Sequence, residues 1–171
     1  MRAAEVLYSR LKSGLALERA PWSGQLGDSQ WPQAAVLVTL TDTDRPEVLL
    51  GRRANHLPMH PGEVAFPGGK RENVDATPWD TALREAEEEV GIAASVVAPL
   101  GELPPLITRT GFEVLPCIAG VPAGLHLAVD PGEFDSVFYQ PLEAFADAGV
   151  FRVEPMFDGQ RERMVPHYAL G

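Results

Sequence analysis

The stretch TPWDTALREAEEEVG, residues 77–91, constrains this chain more than any other segment. Trp79, Ala82, Leu83, Ala86 and Val90 recur at helical spacing and share an arc of about 100°. Thr77 suits the N-cap, Pro78 the first helical position, and Asp80 completes the spacing of a capping box with Thr77. Gly91 supplies the stop. The pattern predicts a helix over 78–90 with one face committed to a core.

Beside that core face stand Glu85, Glu88 and Glu89, at i, i+3 and i+4, while Glu87 points elsewhere. Each neighbouring pair on such a helix repels by roughly 0.2–0.5 kcal/mol. The cluster also occupies the last two turns, where the helix dipole disfavours acids. For folding alone the placement is poor, and a hard divalent cation with oxygen ligands reverses both penalties. Arg84, four residues before Glu88, can pair with that carboxylate. The plain alternative is a solvated acidic face. Context favours the cation, because the helix follows PGGKREN, in which Gly68 and Gly69 permit close backbone approach. Arg52, Arg53, Lys70 and Arg71 flank that loop in sequence, placed to meet phosphate oxygens or simply to solvate the surface.

The rest of the chain alternates strand patterns with turns. Residues 3–13 have helical character, with Ala3, Val6, Leu7 and Leu11 near one face, and 20–33 read as an extended arm. Strands are expected at 34–42 and 47–53, joined as a hairpin by DTDRP. Residues 56–73 are too rich in proline and glycine for regular structure, apart from a short strand near 63–66. Further strands are expected near 95–103 and 112–120, then a strand and short helix over 133–149, then two strands around Asp158-Gly159. Strands interleaved with few helices point to a mixed α/β sandwich in one domain.

A formal net charge of −10 argues against broad nucleic-acid binding, which depends on Lys and Arg. It suits a small anionic substrate held through divalent cations. No apolar run approaches the roughly 20 residues that cross a bilayer, and the opening residues do not read as a signal peptide. With Cys117 as the single cysteine, a reducing compartment is the natural inference, hence the cytoplasm.

REAEEEVGI, residues 84–92, resembles the core of the Nudix box, G-x5-E-x7-R-E-U-x-E-E-x-G-U with U aliphatic. Arg84, Glu85, Glu88, Glu89 and Gly91 all match, a coincidence expected about once in a million windows. Upstream the pattern departs: Asp75 stands for the first glutamate, with eight residues before Arg84, so Asp75 is not assigned to the metal. This longer spacing is similar to that of the coenzyme A diphosphatase branch. LLGRRANHLPMHPGEVAFPGG, residues 49–69, also resembles that branch's L-L-T-x-R-S-x3-R-x3-G-x3-F-P-G-G. Leu49, Leu50, Arg53, Gly62, Phe66, Pro67, Gly68 and Gly69 fit, while Gly51, Ala54 and Pro58 depart, Pro58 standing where the pattern has arginine. The resemblance covers about residues 33–145.

The resemblance implies a Nudix-type α/β/α sandwich with a mixed β-sheet over residues 34–171, preceded by an N-terminal helix and arm at 1–33. It implies Mg²⁺ or Mn²⁺ held by Glu85 and Glu89, with Glu88 a ligand or an orienting base and the Gly68 carbonyl a further ligand. Arg84 joins the catalytic set, and Arg52, Arg53, Phe66, Gly69 and Lys70 face the substrate. A later acidic residue often completes such sites, with Glu133 the candidate and Glu154 the runner-up. The implied reaction is hydrolysis of a diphosphate linkage, with coenzyme A or acyl-coenzyme A giving 4′-phosphopantetheine and adenosine 3′,5′-bisphosphate. ADP-ribose, a dinucleotide or a nucleoside triphosphate is the alternative substrate, and a non-catalytic nucleotide-binding domain the alternative class.

Other signals are weaker. Pro58 and Pro61 break any helix that would bring His56 and His60 together on zinc. Cys117 reads as a small core residue. Trp22 and Trp31 read as pins for the arm, against the body or against a second subunit in a homodimer.

Overall fold

A computed structural model describes residues 3–15, 21–157 and 162–169. The chain runs through helix α1 (Ala3–Gly14), strands β1 (Gln33–Thr41), β2 (Glu47–Arg53), β3 (Val64–Ala65) and β4 (Gly68–Lys70), and helix α2 (Pro78–Val90). Strands β5 (Ala98–Glu102), β6 (Leu106–Ile107), β7 (Glu113–Val121), β8 (Phe134–Pro141), β9 (Phe151–Phe157) and β10 (Glu162–Tyr168) follow. It is a mixed α/β fold. Eight strands form one mixed sheet along the order β3-β2-β1-β7-β5, while β9 and β10 form a separate ribbon.

The centre of the sheet is the parallel pair β1–β7, in register from Gln33↔Glu113 to Thr41↔Val121. Both strands are buried along most of their length, as their continuous apolar runs require. On one face Leu37, Leu49, Cys117 and Phe134 pack with Trp79, Ala82, Ala86 and Val90 of α2. Cys117 is a buried core residue. On the other face Leu40, Val48, Leu100 and Ile118 meet Leu7, Tyr8, Leu11 and Leu15 from α1 and its exit. Val6 is 36% exposed, a correction to the expected face of α1. The buried line there is Ala4, Leu7, Tyr8, Leu11, Leu15, which keeps the helical period, and Val6 falls outside it (the side chain of Ala3 lies outside the described ones).

What positions the site is a split in the sheet. β1 and β2 register at Leu40↔Val48, and beyond that point other strands take their edges. β3 pairs with β2 at Arg52↔Val64, and β4 pairs with β1 from Ala34↔Lys70 to Val36↔Gly68. The segment 64–70 therefore lies between two diverging strands. β4 corrects the expectation of an irregular loop. A Cβ on Gly68 would lie 2.3 Å from the Ala35 carbonyl oxygen, so glycine is what lets this backbone close on β1.

Other expectations shift modestly. Ala94–Val96 forms a 3-10 turn, and strand β5 begins only at Ala98. The short helix after β8 is a 3-10 turn at Leu142–Ala146. The turn at Asp158-Gly159 lies outside the described residues, although Phe157 pairs with Glu162 on either side of it. No helix among the described residues is long and apolar enough to cross a membrane.

Candidate functional site

Helix α2 starts as its sequence dictates. Thr77 accepts from the Asp80 amide, Asp80 accepts from the Thr77 amide, and Pro78 occupies the first turn. Gly91 closes the helix at φ 73°, a conformation that glycine adopts without steric cost. With Trp79, Ala82, Ala86 and Val90 fixed in the core, the carboxylates emerge with graded burial. Glu89 is only 3% exposed, Glu85 is partly buried, and Glu88 is open to solvent.

The split in the sheet brings Gly68 and Gly69 against this helix. The Gly68 amide donates to Glu89 Oε2 at 2.9 Å. A Cβ on Gly69 would stand 2.4 Å from the Glu85 carboxylate, so that residue too must be glycine to leave the acid its place. The C-terminal end of α2 recruits the third element. Amides of Ala128 and Asp130 donate to the Val90 and Glu89 carbonyls, and the Asp130 turn then leads into Glu133. Glu133 lies 3.8 Å from Arg53 Nη2, and both act electrostatically on Glu89. Glu85, Glu88, Glu89, Gly68, Gly69, Arg53 and Glu133 are thus gathered from four parts of the chain.

Arg84 holds the cluster's other side. Its Nη1 donates to Glu85 at 2.9 Å and to Glu88 at 3.4 Å, and its Nη2 donates to the Lys70 carbonyl at 3.0 Å. Its strongest partner is Asp75, reached from Nε at 3.2 Å and Nη2 at 3.0 Å. Asp75 is 3% exposed and also accepts from the Thr81 hydroxyl and the Glu72 amide. Burial alone would raise the Asp75 pKa, but these donors, Arg84 foremost, hold it below the ordinary range. Its role as anchor of Arg84 went unread in the sequence. The available signal was a lone acid nine residues ahead of an arginine, at the position where the family pattern has glutamate.

Glu89 is the most perturbed acid. Desolvation pushes its pKa up to about 8, opposed by the Gly68 amide and reinforced by Glu85 and Glu133. Burial also raises Glu85, against the pull of Arg84. A buried carboxylate with two acidic neighbours offers oxygen ligands and uncompensated negative charge, a donor set that suits a hard divalent cation. Among the described residues, no three acidic, histidine or cysteine side chains already enclose an ion position. The reason is visible: Glu85 is turned onto Arg84, and Glu89 onto the Gly68 amide.

Several expected residues are engaged elsewhere. Arg52 is exposed and donates to the Gly62 carbonyl. Arg71 donates to Gln33 and Gly24 and lies over the Trp22 ring, so it pins the arm and does not face the carboxylates. Phe66 packs beside Leu40 and Val48 on the α1 side of the sheet. Lys70 stands 5.2 Å above the Phe112 ring and is exposed at its tip. Glu154 sits on the separate ribbon, within 4.0 Å of Arg152. His60 pairs with Glu63, and His56 is exposed in the same loop.

The NUDIX domain model matches residues 31–164. A relative described as "Uncharacterized Nudix hydrolase NudL", from Enterobacter sp. (strain 638), is 46% identical over 110 residues, covering 64% of this chain and 57% of that protein. The matched part thus spans little more than half of the curated relative. Two solved structures share the fold. A Nudix hydrolase from M. smegmatis, RenU, has a TM-score of 0.56 at 22% identity, over 70% of this chain and 83% of that one. A C. elegans Ap4A hydrolase has a TM-score of 0.55 at 21% identity, over 64% and 80%. The family match runs from β1 into the start of β10 and includes the glycine segment and the carboxylate helix, so this chain belongs to the Nudix family.

Proposed function

We propose that this chain hydrolyses a diphosphate linkage in a nucleoside diphosphate derivative, with Mg²⁺ or Mn²⁺ held by Glu85 and Glu89. The observation that carries the reading is the buried Glu89 carboxylate, set against Gly68 with Glu85 and Glu133 as acidic neighbours. The family's members generally use divalent metal ions. Such an ion, when bound, neutralises diphosphate charge and acidifies a coordinated water.

The protein's own groups supply the rest. In this reading Glu89 and Glu85 would hold the ion, the two carboxylates that accept from the Gly68 amide and from Arg84. The Gly68 carbonyl is a further ligand in this reading. Glu88, exposed and only loosely held by Arg84, is free to ligate or to orient water. Arg84, clamped by Asp75, keeps Glu85 and Glu88 from spreading apart. Glu133, paired with Arg53 and close enough to act on Glu89, would in this reading accept a proton from attacking water. In this reading Arg53 meets phosphate oxygens, the exposed Lys70 joins it by swinging off the Phe112 ring, and Gly69 leaves Glu85 its place.

Among substrates, coenzyme A or an acyl-coenzyme A is preferred, since eight positions across 49–69 fit that branch's pattern. Pro58 in place of an arginine favours the second reading: ADP-ribose, a dinucleotide or a nucleoside triphosphate. The site of action proposed is the cytoplasm. A substrate panel with magnesium, run on the parent and on Glu89→Gln, tests both readings. Phosphopantetheine release supports the first, and activity confined to ADP-ribose rejects it. Tight nucleotide binding with no turnover across the panel would reject hydrolysis and leave a binding domain. Calorimetric titration of Mn²⁺ reads the metal site independently, and Glu89→Gln is expected to weaken it about tenfold or more.

A further inference from the structure

The β9–β10 ribbon carries a feature that hydrolysis does not use. Its register pairs Phe151 with Tyr168, Val153 with Pro166, Pro155 with Met164, and Phe157 with Glu162. Residues paired across a ribbon share a face, as do residues two apart along a strand. One face is therefore apolar at seven of its eight positions, with Glu162 the exception at the tip. The opposite face carries Arg152, His167 and Glu154, with Val165 beside them.

That apolar face is open. Phe151, Val153, Phe157, Met164 and Tyr168 each leave between 43% and 69% of their surface exposed. Among the described residues the cover lies at the base, where Tyr168 packs edge-on against Phe145 at 5.4 Å. Among the described residues neither strand pairs with the main sheet. A two-stranded ribbon on its own is marginal in water, so a ribbon with this face needs a cover.

Three observations select the cover. First, the prolines decide how it docks. Proline has no amide proton, so Val153–Pro166 and Pro155–Met164 must be pairs that do not hydrogen-bond each other. The outward amide that each free edge would offer at those points is missing, which blunts strand addition. Contact must then come through the face. Second, the area is right for a pair. With roughly 200 Å² for a large side chain, the five exposed residues leave roughly 500 Å² open. Exposed Pro155 and Pro166 extend this toward the about 800 Å² per partner that a stable dimer interface buries. Third, charge favours the apolar patch. Two copies, each at a formal −10, repel over most of their surfaces, whereas this face bears a single charge at its edge.

We infer that the chain self-associates as a two-fold dimer, ribbon face against ribbon face, in the manner of two small sheets stacked about 10 Å apart. Of the two arm tryptophans, Trp22 is buried in the chain's own core and Trp31 is 38% exposed.

Sedimentation velocity on the full chain across a concentration series tests the inference. The parent is expected to shift from monomer to dimer below about 100 μM. The double variant F157D/M164D is expected to weaken the dimer at least tenfold, and Arg152→Ala, on the opposite face, to change it less than twofold. Val153→Thr, which preserves strand propensity, covers the case in which the double variant perturbs the ribbon, and a threefold weakening is expected. Added sulfate strengthens an apolar contact and screens like-charge repulsion, so association rises with salt. A parent that stays monomeric through that range overturns the proposal. So does a dimer indifferent to both face variants, a dimer weakened equally by Arg152→Ala, or a ribbon face that binds only an unlike partner.

Discussion

Replacing Asp75 by asparagine isolates the tie that holds Arg84. Asp75 Oδ2 accepts three bonds, from the Glu72 amide at 2.8 Å, the Thr81 hydroxyl at 2.9 Å and Arg84 Nη2 at 3.0 Å. Oδ1 accepts one, from Arg84 Nε at 3.2 Å. Asparagine serves the crowded position best with its carbonyl oxygen, which leaves its NH₂ facing the Arg84 Nε–H, donor against donor. One charge-assisted bond is lost, the remaining acceptor oxygen is no longer charged, and a mostly buried guanidinium loses its most buried counter-charge. A charge-assisted bond contributes about 1.5–3 kcal/mol, and removing one partner of a buried pair costs about 3–5 kcal/mol. The isosteric change falls at the low end, about 3 kcal/mol. Because the Asp75 pKa is lowered in the fold, its stabilisation is present above the ordinary carboxylate range and is lost as pH falls through the folded value. Urea denaturation of parent and variant at pH 7 and pH 3.5 reads both effects, with the gap between them narrowing at the lower pH. A difference under about 0.5 kcal/mol at pH 7, within the range of an ordinary surface substitution, would refute the claim that Asp75 anchors Arg84.

Four further outcomes follow from the site and its helix. The Glu89 pKa is raised to about 8, so ionising it opposes folding, and metal-free stability declines as pH rises from the ordinary carboxylate range toward 8. Glu89→Gln is expected to raise the melting temperature of the metal-free protein at pH 9 by a few degrees, measured by calorimetry. The same proton must leave when a cation binds, so Mn²⁺ affinity is expected to climb up to about tenfold per pH unit below 8 and to flatten above it. Titration in buffers of different ionisation enthalpy counts the proton released. Gly69→Ala, whose Cβ meets the Glu85 carboxylate at 2.4 Å, is expected to cut Mn²⁺ affinity about tenfold, read by the same titration. Thr77→Ala removes the cap of α2 and is expected to cost about 1 kcal/mol in urea denaturation.

Local signals carried most of what the sequence disclosed. The α2 bounds, its cap and its core face depend on residues within one another's reach, and all stand as the spacing implied. Glu85, Glu88 and Glu89 were legible for the same reason. What stayed hidden depends on pairing at a distance. Nothing in GGK looks like a strand until the Ala34–Val36 backbone is beside it. Arg71 looks equivalent to Arg53, and only the fold shows that one meets Trp22 and Gln33 while the other meets Glu133. In the sequence Glu133 is simply an acid on a later loop. The hydrogen bonds from Ala128 and Asp130 to the end of α2 are what carry it to Glu89.

One guanidinium grips both ends of the stretch between β4 and α2: Arg84 bonds the Lys70 carbonyl at one side and the Asp75 carboxylate at the other. What lies between is a tethered loop, its tip marked by Val74 at 78% exposed. Slack in such a loop costs little, because each doubling of its length adds only about 0.6 kcal/mol of closure entropy. Length can therefore vary at Asn73–Val74, ahead of the clamped Asp75, without moving the acids on the helix behind it.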